Sequence, residues 1–191
     1  MRVATTLAFL LLAACKPAEA PEGVQRIDLD DARPETEQPL ASPDTEDAEW
    51  TVAPNGQSIG FGKPGGKPWL SLACRVKADP PTIRLIRHVT VRPGQKALFP
   101  VIGNGTISRF KVDAKLADSE WHWEGEVPAD DALLEVFTGR REIEATLPGA
   151  GSLVIAGSPI PGEFIDWCRK RGAVPAPAPS RSETPDSEEP A

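Results

Sequence analysis

Proline, glycine, asparagine and aspartate divide the apolar residues of region 50–156 into short runs. Within many of these runs apolar and polar side chains alternate, which is typical of a β-strand with one buried face. In the run 69–76, for example, alternation puts Leu70, Leu72 and Cys74 on the same face. Eight to ten short strands of this kind predict a mainly β domain, an antiparallel β-sandwich or barrel.

Two pairs of runs carry the features of hairpins. Asn104-Gly105 lies between Lys96–Ile102 and Ile107–Leu116, and this dipeptide favours the type I′ turn because both central residues need a positive φ. A second hairpin is predicted between Leu133–Phe137 and Glu142–Leu147, with its turn at residues 138–140.

One short C-terminal helix is predicted over residues 162–172. Acidic residues lie in its first turn and basic residues in its last, and Gly172 occupies the position of a glycine that closes a helix. Phe164, Trp167 and Cys168 fall on one face at helical spacing, so the apolar face carries a cysteine.

The N-terminus has the organisation of a secretory signal peptide. A positive start precedes the apolar run Val3–Ala14 and small residues follow. Ala18-Glu19-Ala20 has the form of an ordinary signal-peptidase site, but cleavage there would leave Pro21 first, which disturbs the extended backbone that a protease holds. Leu12-Ala13-Ala14-Cys15 fits better and resembles the lipobox of bacterial lipoproteins.

The lipobox resemblance implies that residues 1–14 are removed and that Cys15 carries a diacylglycerol and an acyl chain such as palmitate. Lipid chains of this kind hold a protein on a membrane without any inserted segment. Lys16, in place of aspartate, implies sorting to the outer membrane, facing the periplasm. The resemblance therefore predicts a cell-envelope location with the membrane as one partner.

Composition separates two tails from a central domain. Residues 15–49 contain eleven acidic and three basic side chains without hydrophobic period, which predicts a disordered acidic tether. Residues 173–191 begin with alternating proline and alanine and end in acidic residues, and are predicted to be a second disordered tail. The domain is predicted to span residues 50–172.

Cys74 and Cys168 are the cysteines left after Cys15. Each lies on the apolar face of its predicted element, and an oxidising compartment favours pairing, so we expect a disulfide that ties the helix to the sheet. Buried free thiols are the alternative. A metal site is not expected, because two cysteines without neighbouring histidines lack the four ligands of zinc.

The sequence contains few residues suited to catalysis. It has two histidines, His88 and His122, and no catalytic or phosphate-binding motif that we recognise. Its net charge of −7 excludes nucleic-acid binding driven by net charge, and its apolar runs are shorter than the about 20 residues of a membrane-spanning helix. No catalytic residue, metal or cofactor is therefore predicted.

The segment Trp121-His122-Trp123-Glu124 is the candidate ligand surface. On a strand, the two tryptophans share one face and the histidine and glutamate share the other. One interpretation buries both tryptophans in the core and leaves the polar pair in water. The other exposes the tryptophans as an aromatic platform for a sugar, a peptide or another hydrophobic ligand.

Charges are segregated along the domain. Residues 75–115 contain nine basic and two acidic side chains, whereas residues 118–144 contain nine acidic and two basic ones. These two regions are expected to pair across strands, or to present opposite charges to a partner.

Three segments resemble small periplasmic proteins of the invasion-associated locus B type, which are found in alphaproteobacteria. The segments are Leu72-Ala73-Cys74-Arg75, residues 131–139 and residues 164–168, and the likeness spans residues 69–168. The resemblance implies a disulfide-tied β-sandwich and transfers no functional residue.

The expected function is non-catalytic. The lipid anchor, tether and disulfide-stapled domain suggest a module that binds or supports another envelope protein or cell-wall component. The alternatives are a small envelope hydrolase that uses His122 and Glu124 as an acid–base pair, or a protein inhibitor in which the basic hairpin, residues 75–115, docks on an acidic partner.

Overall fold

The structure is a computed structural model that describes residues 39–173 and has nine strands, one 3₁₀ helix and one α-helix in that range. The 3₁₀ helix is Ala132–Phe137, and α1 is Ile160–Arg169. Strands β1 to β9 are, in chain order, Glu49–Val52, Ser58–Gly62, Leu70–Arg75, Thr82–Arg87, Lys96–Gly103, Thr106–Ala117, Glu120–Pro128, Ile143–Thr146 and Ser152–Ile155.

All nine strands form one antiparallel sheet in the order β1-β2-β3-β4-β7-β6-β5-β8-β9. The sheet is nearly closed and barrel-like, which confirms the predicted mainly β class with one short C-terminal helix. The pairings of β4 with β7 and of β5 with β8 join strands that are not consecutive in sequence. Predictions for Cys15, the signal peptide and residues 174–191 lie outside the described residues.

Buried side chains alternate with more exposed ones along strands such as β4, β6 and β8, and the buried ones fill the interior. The largest fully buried side chains include the phenylalanines of β2, β5, β6 and the 3₁₀ helix, namely Phe61, Phe99, Phe110 and Phe137. No helix within residues 39–173 has the length and apolarity needed to cross a membrane.

The hairpin at Asn104-Gly105 is confirmed. Asn104 and Gly105 have φ values of 51° and 79°, and Gly103 pairs with Thr106 across the turn. Both central residues thus adopt the left-handed conformation that a type I′ turn requires.

The second predicted hairpin is wrong, because residues 132–137 form a 3₁₀ helix instead of a strand. The Asp131 side chain accepts a hydrogen bond of 2.8 Å from the Leu133 amide and caps the helix. Side chains of the first hairpin hold the helix, since Ser108 Oγ donates to the Leu133 carbonyl at 2.7 Å and Asn104 Nδ2 donates to that of Val136 at 2.8 Å.

The predicted disulfide is present and links β3 to α1. Cys74 and Cys168 are both buried, with their Cα atoms 5.8 Å apart and a sequence separation of 94. Phe164 and Ile165 are buried on the same helix, which packs against β3, β4 and the 3₁₀ helix. The apolar helix face predicted from sequence is therefore the face that meets the sheet.

The folded part extends before the expected boundary at residue 50. Leu40 donates its amide to the Gly149 carbonyl at 2.9 Å, and Ser42 Oγ accepts from the Ser152 amide at 2.9 Å, both at the β8–β9 end of the sheet. Asp44 forms a 2.9 Å ion pair with Lys63, directly after β2. Residues 39–48, here called the N-terminal strap, thus bridge the two edges of the sheet, and the predicted tether overlaps the domain over residues 39–49.

Arg87 connects the same two sides from within. It is 3% exposed, and its guanidinium donates to the Trp69 carbonyl at 3.0 Å and to the Ala150 carbonyl at 3.4 Å. Burial lowers the pKa of Arg87 to about 10. The side chain thus spans from the start of β3 to the β8–β9 turn.

Candidate functional site

A cleft of about 450 Å³ opens on the outer face of β4 and β7 and contains both histidines of the chain. We call it the histidine cleft. The cleft is lined by basic side chains, acidic side chains and the two histidines. These residues are Lys67, Arg84, His88, Glu120, His122 and Glu124.

The pairing of β4 with β7 brings the histidines together. Arg87 is opposite Trp123 in the register, so the next outward positions on the two strands belong to His88 and His122. The two ring centroids are 6.2 Å apart. Because the two strands are not consecutive, neither histidine has the other as a neighbour in sequence.

His88 is held in a neutral state. Its Nε2 lies 2.9 Å from Ser71 Oγ, and the ring is half-buried. Burial, with smaller contributions from the nearby charges of His122, Lys67 and Arg87, lowers the pKa of His88 from 6.5 to about 4. An imidazole with this pKa carries no charge at neutral pH and both accepts and donates hydrogen bonds.

His122 and Glu124 share the outward face of β7, as predicted, and both are largely buried in the cleft wall. His122 Nε2 lies 3.6 Å from Glu124 Oε2, beyond the range of a good hydrogen bond. Glu124 Oε2 also lies 3.5 Å from Arg84 Nη1. Within the described part of the chain, His122 Nε2 and Arg84 Nε are buried and have no hydrogen-bond partner.

The rim of the cleft is charged and exposed. Lys67 forms an ion pair with Glu120, and this hydrogen bond is the largest cause that lowers the pKa of the Glu120 carboxyl. Asp118 lies beside it on the β6–β7 turn. The rim of the cleft therefore carries charged groups of both signs.

The tryptophans do not form an exposed platform. Trp123 is 7% exposed and belongs to the core, and Trp121 is partly buried against that core and also lines the cleft. The interpretation with Trp123 in the core is the one that the structure supports. The polar pair does not face open water either, since it forms part of a concave wall.

Sequence reasoning missed Ser71, Arg84 and His88 as parts of this site. Arg84 lies outward on β4 and His88 directly follows that strand, but nothing in the local pattern distinguishes them from a solvated strand face. Among the residues from 39 to 173, no three His, Cys, Asp or Glu side chains are grouped to hold a metal ion.

Comparisons with protein-family models, with curated proteins and with solved structures found no match to this chain.

Proposed function

We propose that this chain is a lipid-anchored protein of the bacterial cell envelope whose β-domain binds a polar ligand in the histidine cleft without transforming it. The lipobox-like residues ending at Cys15 support the anchor. The disulfide between Cys74 and Cys168 supports an oxidising compartment such as the periplasm. The ligand is a peptide or saccharide group of an envelope protein or of the cell wall.

The unpartnered polar atoms of the cleft carry this proposal. A buried donor or acceptor without a partner costs about 1–3 kcal/mol, so native structures rarely leave one unsatisfied. His122 Nε2 and Arg84 Nε are two such atoms in one concave site. Both atoms have almost no accessible surface, so a ligand would bond to them only after the His122 and Arg84 side chains turn toward the cleft.

The protonation state of His88 favours binding over catalysis. General bases work best when their pKa lies near the operating pH, whereas the pKa of His88 is about 4. Ser71, the hydroxyl bonded to His88, is 9% exposed, which limits its access to a substrate as a nucleophile.

One observation favours the hydrolase as a second candidate. His122 lies in a concave site next to Glu124, which is the arrangement that an acid–base pair needs. The inhibitor hypothesis has support from Arg109 and Lys111, which are exposed on the basic hairpin.

Binding in the cleft can be tested with cell-wall sacculi and envelope extracts. We expect the wild type to cross-link to a component that His122→Ala and Arg84→Ala lose, while the matched variant Lys77→Ala, an exposed residue outside the cleft, retains it. Turnover of a cell-wall or ester substrate that disappears in His122→Ala/Glu124→Ala would show that the protein is a hydrolase.

Anchoring has a separate test. Labelled palmitate should enter the wild type in cells and should not enter Cys15→Ser, which is expected to become soluble or to keep its N-terminal segment. Equal labelling of the two proteins would refute the anchor and leave the cleft proposal untouched.

A further inference from the structure

Apolar side chains cover part of the outer face of the sheet. Ile102 on β5 is opposite Ile107 on β6, and cross-strand partners share a face. The same row continues from Ile102 to Glu144 on β8 and from Glu144 to Val154 on β9. Together with Leu98 and Pro100, these residues make a patch that we call the apolar face. Its four large members are about half exposed: Leu98, Ile102, Ile107 and Val154.

Basic side chains are built into this face. Arg109 is the cross-strand partner of Pro100, and Lys111 is the partner of Leu98. Both basic residues are exposed, and Glu144 is the acidic side chain in the same rows. The face thus combines exposed hydrocarbon with a positive balance, although the whole chain carries a net charge of −7.

We propose that the apolar face rests on the surface of an anionic phospholipid bilayer. Hydrocarbon side chains enter the boundary between headgroups and acyl chains, while Arg109 and Lys111 reach the phosphates with their charged ends. Each such base adds about 1 kcal/mol of attraction to an anionic leaflet. The proposed contact is peripheral and leaves the fold unchanged.

The composition of the face favours a bilayer over a protein partner. The centre of a protein interface is depleted of charged residues, and of lysine in particular, whereas Lys111 lies directly opposite Leu98 in this face. In a symmetric contact between two copies of this chain, the basic residues of one face would meet those of the other, which is unfavourable.

The position of the anchor supports the same partner. This step rests on the proposed lipidation of Cys15. The chain between Cys15 and Pro39 spans at most about 80 Å, so an anchored domain always has the bilayer within reach. Tethering of this kind raises the effective concentration of the membrane at the domain surface.

A position-specific fluorescent label tests the contact without the anchor. In full-length Cys15→Ser protein, Cys74 and Cys168 are paired, so Ile102→Cys provides a unique free thiol for the dye nitrobenzoxadiazole. We expect its emission to shift to the blue with vesicles of phosphatidylglycerol and phosphatidylcholine, and much less with phosphatidylcholine alone. The matched label is at Val52→Cys, an exposed apolar position on β1, and it should not respond.

Charge variants complete the test. Lys111→Gln should weaken vesicle binding of the Ile102→Cys label roughly fivefold, and Lys77→Gln, an exposed lysine outside the face, should not.

The proposal is overturned by an unchanged Ile102→Cys spectrum, by equal responses of the two labels, or by equal responses to both lipids. A concentration-dependent blue shift without vesicles would identify the face as a contact between copies and would also overturn it. Every variant in this vesicle experiment lacks Cys15, so a negative result leaves the proposed lipid anchor untouched. A negative result of palmitate labelling likewise leaves the proposed contact between the apolar face and the bilayer untouched.

Discussion

At the scale of single residues, the chemistry of the cleft depends on keeping His88 uncharged. Its neighbours include cations on two sides, Lys67 and Arg87, and the second histidine. Ser71 Oγ, on β3, shares one hydrogen bond with the ring. A ligand in the cleft therefore meets a neutral imidazole beside charged groups of both signs.

The depressed pKa of His88 makes folding stability depend on pH. The unfolded chain binds a proton at this residue below about pH 6.5, whereas the folded chain resists protonation until about pH 4. Between pH 6.5 and about 4, the unfolded state therefore binds more protons than the folded state. The contribution of His88 to the free energy of unfolding is complete above pH 6.5 and is lost as the pH falls toward 4. With allowance for solvent screening of a half-buried ring, the loss amounts to roughly 1–2 kcal/mol.

Denaturant titrations at several pH values check this expectation. The free energy of unfolding should fall less steeply between pH 6.5 and 4 in His88→Gln than in the wild type. Because other carboxyl groups titrate in both proteins, the difference between the two curves is the informative quantity. Parallel curves would contradict the expectation.

Part of the site follows from sequence, and part depends on strand order. The period of two correctly places His122 and Glu124 on one face of β7. Their proximity to His88 and Ser71 requires that β7 pair with β4, a strand from which β5 and β6 separate it in sequence. Such non-consecutive pairing is set by the whole sheet, so local alternation did not reveal the cleft.

At the scale of elements, most strands and the helix were predictable because each depends on its own pattern. The 3₁₀ helix was not, because contacts from a distant hairpin hold it. Asn104 shows the coupling, since its Nδ2 donates to the Val136 carbonyl and its Oδ1 accepts from the Arg141 amide at 2.9 Å. An added Cβ on Gly139 would come within 2.1 Å of Asn104 Oδ1, so this contact also requires a glycine.

The disulfide is the covalent link between the helix and the sheet, and its removal should strongly destabilise the domain. In the chain-entropy model, a disulfide that closes a loop of 94 residues adds about 4–5 kcal/mol to the free energy of unfolding. In Cys15→Ser protein, we expect reductant to lower Tm by about 10 °C or more. Cys74→Ala/Cys168→Ala should melt low with or without reductant. Complete alkylation of both thiols in native, non-reduced protein would show that the bridge does not form.

At the scale of the whole molecule, the sheet is closed by parts that are not strands. The N-terminal strap bonds to the β8–β9 end and to Lys63, and Arg87 donates to the Ala150 and Trp69 carbonyls from within the sheet. From sequence, the strap is predicted to belong to the tether, because acidic and proline-rich composition is typical of a solvated coil. Composition cannot reveal that Ser42 meets the backbone of Ser152 in space.

Two glycines of the β8–β9 turn separate the contribution of the strap from that of the turn itself. Gly149 and Gly151 have φ values of 78° and 72°, so alanine at either position suffers a similar left-handed strain of about 1–2 kcal/mol. A Cβ at Gly149 would meet nothing within 4 Å, whereas a Cβ at Gly151 would lie 2.8 Å from Ser42 Cα.

Gly151→Ala should therefore destabilise the domain by about 1–3 kcal/mol more than Gly149→Ala, because it must also displace the strap from the edge of the sheet. Thermal unfolding of the two variants gives the difference in stability. Limited proteolysis should show faster cleavage within residues 39–48 in Gly151→Ala alone, since the strap would lose the hydrogen bonds at Leu40 and Ser42. Equal melting temperatures and equal cleavage would mean that the strap contributes nothing to closure of the sheet.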